Sequence, residues 1–512
     1  MKELERKKGK VYIVGAGPGD PGLVTVKGIR CIEEAEVIVF DHLVNEELLS
    51  FARPDVRLIY AGKQGGDHTL VQDEINRILV EEASLGSVVT RLKGGDPLIF
   101  GRGGEEALVL KEAGLPFEIV PGVSSAIAVP AYAGISLTQR GYASTLAFVT
   151  GHEDPSKDQS AIDWQALAGM GTLVFLMGVK NLAQIADNLI RHGKPAHTPA
   201  ALIRWGTTPR QQTLTAPLGD LARQAEAARF SPPAILVVGE VVALRERLNW
   251  FETKPLFGKG VVITRPEAQA ESFAALLGEL GARVIHFPTI RIVPPASWEG
   301  CDAALAGLGN YDWAIFTSAN GVRFFFQRLR ETGRDIRDLK GVRLAAIGPA
   351  TASALEGMGL RVDLVPETYL SEGVVQAFSA KDIRGARILL PRAQEARDVI
   401  PEGLAAQGAR VDVATVYRTV GSGRKAEEMI AYLDKGLVDV ITFTSPSTVA
   451  SFREIMGQGF TLPSGIRVAA IGPITAAAVR REGFPLHVLQ ETYTIPGLTA
   501  ALAACFRSPS PL

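Results

Sequence analysis

The sequence predicts an α/β protein built on parallel sheets, and three observations predict it. Val11-Tyr12-Ile13-Val14, an apolar run suited to a buried strand, empties into Gly15-Ala16-Gly17-Pro18-Gly19-Asp20, and Leu23, Val26, Ile29 and Ile32 follow at helical spacing. That order, strand then glycine loop then helix, is how an α/β sheet presents a loop at the carboxyl end of a strand. It returns at residues 88–106, where a second strand-like run meets a second glycine-rich loop before a helix. Beyond about residue 255, strand–loop–helix units recur in two copies of roughly 125 residues each, which implies parallel sheets in two similar lobes.

The bulk numbers bound the answer. At 512 residues the length suits about three domains. A net charge of −1 carries no footprint of nucleic acid or an anionic membrane, so neither is expected as a partner. Cys31, Cys301 and Cys505 lie far apart with no metal spacing. That argues against disulfides and zinc and for a reducing compartment, and no metal site is expected. The apolar run after the basic Met1–Lys10 is too short for a signal peptide, and no stretch is apolar enough to span a membrane, so the expectation is a cytoplasmic protein.

The elements follow in order. Leu23 to Ala35 reads as a helix and Glu36–Phe40 as the next strand, ending at Asp41. A glycine turn with an acid closing the next strand suggests a dinucleotide site, but the third glycine of that fingerprint falls on Asp20 and Pro18 fills a variable slot. Glycines in the first loop let the backbone pass close to a bound group. The second loop, Gly94-Gly95-Asp96-Pro97 through Gly101-Arg102-Gly103-Gly104, lacks the lysine pattern of a phosphate cradle. Two such loops within one short segment point to a small-molecule site. His42, His68 and His152 sit in loops near these motifs without metal spacing.

GAGPGDPGLVT (15–25), VFDHLV (39–44), RLKGGDPLIFGRGGEE (91–106), VPGVSSA (120–126), AGISLTQRGYA (133–143) and FLMGV (175–179) closely resemble uroporphyrinogen-III C-methyltransferase, from about Lys10 to Trp250. The resemblance implies an S-adenosylmethionine-dependent tetrapyrrole methylase of two α/β lobes, with the methyl donor in the cleft between them. Matched motif by motif, it assigns Pro18, Gly94, Gly95, Asp96, Ile99, Ser124, Ser125, Met177 and Gly206 to that cofactor, with Ser124-Ser125 where the family often has Thr-Ala. It makes Asp41 the proton acceptor and Lys63 a second proton-transfer residue. Methylating a pyrrole carbon needs the ring positioned and one proton moved, so these residue types fit. Arg102 and Arg140 are the candidate anchors for the substrate's carboxylates, which arginine pairs bidentately. Arg204-Trp205 departs from the Glu-Asn of many relatives and takes no assigned role.

Aromatics, Pro255 and Gly258 mark a junction near 255, before a new strand at Val261–Thr264. Thr317-Ser318-Ala319-Asn320 recurs as Thr444-Ser445-Pro446-Ser447, Ala345–Pro349 as Ala469–Pro473, and Val262–Pro266 aligns with Ile388–Arg392. Equivalent loops facing across a cleft make a ligand site without a cofactor motif.

FTSANGV (316–322), AAIGPATA (345–352), ATVYRT (414–419), FTSPSTV (443–449), AAIGPITA (469–476) and YTIPGL (493–498) resemble uroporphyrinogen-III synthase, from about 258 to 507. The resemblance implies interleaved lobes, 258–292 with 421–507 and 294–418 between, that need no cofactor. It implies closure of linear hydroxymethylbilane with inversion of its last ring. Arg265, Ser318, Arg392, Ser445 and Thr475 are its candidate substrate contacts, and Tyr417 the proton donor to the leaving hydroxyl. The whole chain then reads as a bifunctional enzyme with domains at 10–250 and 258–507. It makes uroporphyrinogen III and methylates it twice to precorrin-2, on the route to sirohaem and cobalamin. A homodimer through the methyltransferase half is expected, and the dehydrogenase–chelatase module of some relatives is not. The rival readings are a methyltransferase of another corrinoid precursor and a non-catalytic tetrapyrrole-binding second half.

Overall fold

The structure, a computed structural model, describes residues 9–62, 71–151, 161–490 and 492–507. They form two compact units: residues up to 259 with 277–283 and 506–507, and residues 260–276 with 284–505.

The first unit holds two five-stranded sheets. One comprises β1 (Lys10–Gly15), β2 (Val37–Phe40), β3 (Arg57–Tyr60), β4 (Val88–Lys93) and β5 (Phe117–Val120), in the order β3-β2-β4-β1-β5. Every pairing in it is parallel. All four residues of β2 are buried, as in a strand covered on both faces. The central neighbours β1 and β4 end in the two glycine loops, so the loops meet at one sheet edge. The first helix starts at Val26, later than its apolar spacing predicts. The Thr25 hydroxyl accepts from Gly28 N at 3.0 Å and begins the helix there, while Asp20 caps a separate 3-10 turn at Pro21–Leu23.

The other sheet comprises β6 (Leu146–Thr150), β7 (Thr172–Leu176), β8 (Pro199–Arg204), β9 (Gln212–Pro217) and β10 (Ala234–Val238), in the order β6-β7-β10-β8-β9. Only β6 and β7 pair in parallel; β10 and β9 run antiparallel to their neighbours.

The second unit contains β11 (Gly260–Ile263), β12 (Arg283–His286), β13 (Ile290–Val293), β14 (Trp313–Phe316), β15 (Arg343–Ala346), β16 (Arg387–Ala393), β17 (Arg410–Gly421), β18 (Val440–Phe443), β19 (Arg467–Ala470) and β20 (Val488–Leu489). They form two sheets, ordered β12-β11-β18-β19-β20 and β13-β17-β16-β14-β15. The repeat is visible in this order, since β11, β18 and β19 occupy the places of β16, β14 and β15. Each sheet has its own core: Phe287, Phe443 and Phe452 in one lobe, Phe316, Phe325 and Leu389 in the other.

One expectation is corrected here. The segment 258–292 expected in the first lobe includes Ile290–Ile292, but Ile290–Val293 pairs antiparallel with Arg418–Gly421 of β17. The leading segment of that lobe therefore ends before Ile290, and the middle sheet is mixed. The twelve-residue length of β17 leaves its last turn of strand without a partner on β16, and β13 supplies one.

Candidate active sites

In the first unit the two glycine loops are bonded to each other. Gly95 N donates to Gly17 O at 2.7 Å and Gly17 N to Gly95 O at 3.2 Å, with both residues at positive φ, +79° for Gly17 and +70° for Gly95. A side chain at Gly15 would stand 2.5 Å from Gly122 N, and one at Gly206 would enter the Val129 methyls. The loops therefore pack backbone to backbone. A cavity of about 890 Å³ opens beside them, walled from both sheets. Pro18, Gly94, Gly95, Asp96, Ile99, Ser124, Ser125, Met177 and Gly206 all line it. The Asp96 carboxylate already accepts from Leu98 N and Gly122 N at 2.8 and 3.0 Å, so it shapes the wall as well as lining it. Ser124 caps the helix Ser125–Tyr132. Phe100, Met177 and Trp205, also on the wall, hold φ of +51° to +59°. Such backbone costs of order 1–3 kcal/mol per residue and gathers at functional sites.

Asp41 follows β2 directly, and beside it lies His42, on the cavity wall. Its Oδ1 accepts from the Arg91 guanidinium at 2.6 Å, with Arg91 only 2 % exposed and Asp41 at 30 %. Arg91 Nε also reaches Glu106 Oε1 at 3.1 Å, and Lys93 Nζ reaches the same oxygen at 2.8 Å. Burial and the neighbouring Arg91 charge lower the Lys93 pKa against the pull of Glu106. Glu106 is fully buried and its Oε2 has no partner among the described residues. The cluster thus balances two cations with Glu106 and Asp41. Sequence reasoning missed it, although Arg91 and Lys93, two apart on a buried strand, share one face and require an acid beneath.

Other candidates are less gathered. Arg102 holds the left-handed N-cap position of the helix Gly103–Glu112 and pairs outward with Glu105 at 2.7 Å. Arg140 sits in an exposed turn, and neither arginine lines the cavity. Lys63, His68 and His152 lie outside the described residues. The Arg210 guanidinium stacks 4.1 Å over the Trp205 ring, and Arg204 Nε is buried without a partner among the described residues. Among the described residues no group of His, Cys, Asp and Glu could hold a metal ion, and no helix is long and apolar enough to cross a membrane.

In the second unit the candidate residues stand at carboxyl ends of strands. Arg265 follows β11, Ser318 follows β14, Ser445 follows β18, and Arg392 and Tyr417 lie late in β16 and β17. Ser318 and Ser445 cap equivalent helices, Ala319–Glu331 and Pro446–Met456. Tyr417 OH lies 3.0 Å from Ser318 Oγ, its ring stacks on Phe324, and burial raises its pKa. Thr475 is buried in the first turn of the helix Pro473–Arg481. Arg392 is held by Asp398 at 2.6 Å and by Arg397 O at 2.9 Å. Arg265 donates to Gln269 Oε1 at 3.2 Å, and Gln269 Nε2 donates to Asn320 Oδ1 at 2.7 Å. That chain ties the carboxyl-edge loops of the two lobes and was not foreseen, because Gln269 lies in no quoted motif.

Two family models match the chain. Residues 10–222 match the tetrapyrrole (corrin/porphyrin) methylases, and residues 271–500 match uroporphyrinogen-III synthase HemD. The chain is 36 % identical over 491 residues to a porphyrin biosynthesis protein HemD of Ruminiclostridium josui, covering 96 % of this chain and 97 % of that one. It is 52 % identical over 235 residues to a uroporphyrinogen-III C-methyltransferase of Priestia megaterium, covering 46 % of this chain and 98 % of the relative. An S-adenosyl-L-methionine-dependent uroporphyrinogen III methyltransferase of Methanosarcina barkeri is 51 % identical over 242 residues, 47 % of this chain and 95 % of that one.

Proposed function

The chain belongs to the tetrapyrrole methylases in its first half and to the uroporphyrinogen-III synthases in its second, and from that premise we propose how its residues divide the work. It is a bifunctional enzyme of tetrapyrrole biosynthesis with S-adenosylmethionine as methyl donor to the first half. The second half closes hydroxymethylbilane to uroporphyrinogen III with its last ring inverted. The first half adds two methyl groups to give precorrin-2 for sirohaem and cobalamin, within catalytic domains at 10–250 and 258–507.

The observation that carries the methyltransferase half is the cavity wall, where all nine residues assigned to the donor meet. Glycine at 15 and 206 lets the loops close tightly on Gly122 and Val129 beside the cavity, and the mix of apolar wall and backbone polar groups suits a nucleoside with a charged tail. S-adenosylmethionine bound there supplies an electrophilic methyl group. The protein's part is to hold the pyrrole carbon in line with it and to take up the proton the ring then sheds. Asp41, fixed by Arg91, is the acceptor, and Lys63 is a second proton-transfer residue on the strength of the family resemblance. Arg102 and Arg140, both exposed, bind substrate carboxylates, Arg102 exchanging its pairing with Glu105 for the substrate's.

In the synthase half, departure of the hydroxymethyl oxygen as water is aided by the Tyr417 hydroxyl, a donor that burial keeps protonated. Arg265, Ser318, Arg392, Ser445 and Thr475 hold the polycarboxylate chain in the one conformation that leads to inversion, where free closure would give the uninverted isomer. Free cysteines, two of them buried, fit a cytoplasmic enzyme. The family resemblance supports a homodimer through the methyltransferase half and a small-molecule role without nucleic acid.

One coupled assay tests the reading: the whole chain with hydroxymethylbilane and methyl-labelled S-adenosylmethionine. Product of precorrin-2 mass with two labels is expected. Formation of the type I isomer alone removes the synthase assignment, and type III product without label removes the methyltransferase. Asp41→Asn should abolish labelling while the donor still binds; full activity would take the acceptor role from Asp41.

A further inference from the structure

The repeat of the second unit extends to a segment with no assigned role. Glu367-Thr368-Tyr369 recurs as Glu491-Thr492-Tyr493, followed in both copies by a glycine at the same distance, Gly373 and Gly497. The two tyrosines occupy matching places in the two lobes. Tyr369 packs on Gly348, the N-cap of the helix Pro349–Glu356, and Tyr493 packs on Gly472, the N-cap of the helix Pro473–Arg481. A Cβ on either glycine would stand 3.2 Å from the tyrosine side chain. Both glycines have extended backbone at φ −172°, which any residue adopts, so the crowding at these positions comes from the tyrosine side chains.

Despite this packing each tyrosine is 57 % exposed, and Tyr493 is held at φ +45°. A fold that needed the rings only as filling would bury them, and one that did not need them would not repeat them. Their place gives them a use. Gly348 and Gly472 lie two residues beyond β15 and β19, on the same carboxyl edges as Ser318 and Ser445. The Gln269–Asn320 hydrogen bond ties those two edges together. Two flat, partly exposed rings therefore stand on the edges that carry the candidate synthase contacts, one from each lobe.

We propose that Tyr369 and Tyr493 are a matched pair of substrate contacts in the synthase half, stacking on pyrrole rings of the linear tetrapyrrole and holding it folded before closure. The inference rests on the synthase reading above. A linear tetrapyrrole offers flat, electron-rich rings on flexible methylene bridges, and an aromatic ring in each lobe restrains two of them at little entropic cost to the protein.

The experiment uses the full chain with hydroxymethylbilane, comparing the wild type with Tyr369→Leu, Tyr493→Leu, the double variant and the two Phe variants. Leucine keeps apolar packing on the glycine but removes the flat face, and phenylalanine keeps the face. Each Leu variant should raise KM several-fold to about tenfold. The double variant should raise it further and release more of the type I isomer, while the Phe variants stay within about twofold of wild type. Wild type giving type III isomer while both Leu variants keep its KM and isomer ratio overturns the proposal and leaves the synthase reading intact. A wild type giving only type I overturns both. A Leu variant that loses kcat and melting temperature together, with KM unchanged, assigns that tyrosine to packing and overturns its contact role.

Discussion

Replacing Glu106 with Gln tests whether the charge cluster behind Asp41 is held as its geometry implies. The substitution keeps the shape of the side chain and removes the anion between Arg91 and Lys93. At 3.1 and 2.8 Å, and with an effective dielectric of about 20, each contact carries about 5–6 kcal/mol of Coulomb attraction, most of which offsets desolvation. Asp41 still compensates Arg91, so Lys93 bears the loss, and removing one partner of a buried pair costs about 3–5 kcal/mol. The deficit depends on pH. Burial holds the Lys93 pKa below its ordinary value, so the unfolded chain takes up a proton more readily and stability rises with pH across that window. Without Glu106 the folded value falls further and the window widens downward. Urea denaturation reads this through the transition that shifts when S-adenosylhomocysteine is added, which marks the methyltransferase half. The deficit should be largest near neutral pH and narrow as pH approaches about 10, where Lys93 sheds its proton in both states. Wild-type stability at neutral pH, or a deficit that does not change with pH, would refute the reasoning.

Three further outcomes are expected. Gly206→Ala drives a methyl into Val129 on the cavity wall and should cost about 1–3 kcal/mol and weaken binding of S-adenosylhomocysteine in a titration; unchanged affinity would show that the wall yields there. Tyr417→Phe keeps the ring stack on Phe324 and loses the bond to Ser318, so synthase kcat should fall on the order of 100-fold with KM nearly unchanged, and an undiminished kcat would remove the donor role. Burial pushes the Cys301 thiol up to about 12, so in folded protein a disulfide reagent should leave it unmodified at mildly alkaline pH while urea exposes it; prompt labelling of Cys301 under native conditions would contradict its packing.

What could be read in advance was what the chain encodes locally. A glycine loop after an apolar run declares its purpose in a few residues, because the backbone there must turn sharply or lie against another strand. The two glycine loops were legible for that reason, and the nine residues assigned to the methyl donor came through the resemblance of their motifs to the methylase family. The repeat was legible because equivalent turns need equivalent residues, Ser at one helix start and Gly-Pro at another. Partners chosen across the fold were not legible. Arg91 meets Asp41 only because β2 lies beside β4, and Glu106 joins them only when the helix Gly103–Glu112 packs beneath. The place of Ile290–Val293 depends on the length of β17, about 120 residues away. The outward turn of Arg102 follows from a left-handed N-cap that arginine rarely adopts and that no spacing rule announces.

The two halves use duplication and strain in opposite ways. In the methyltransferase half three of the residues with left-handed backbone, Phe100, Met177 and Trp205, stand around one cavity, and a unique ligand geometry needs such singular fixtures. In the synthase half the devices come in pairs: Ser318 with Ser445, Gly348 with Gly472, Tyr369 with Tyr493. A linear tetrapyrrole is itself a repeat, four similar rings on flexible bridges, and a duplicated lobe offers each end of it the same grip. Ring closure with inversion breaks that equivalence, so it must be driven by what the duplication does not copy. Tyr417 has no tyrosine counterpart in β12, the strand that takes its sheet position in the other lobe, and among the described residues Arg392 is clamped by Asp398 whereas Arg265 bonds Gln269. On the proposed division, in which paired residues bind and Tyr417 donates the proton, substitutions at paired positions should move KM and substitution of Tyr417 should move kcat.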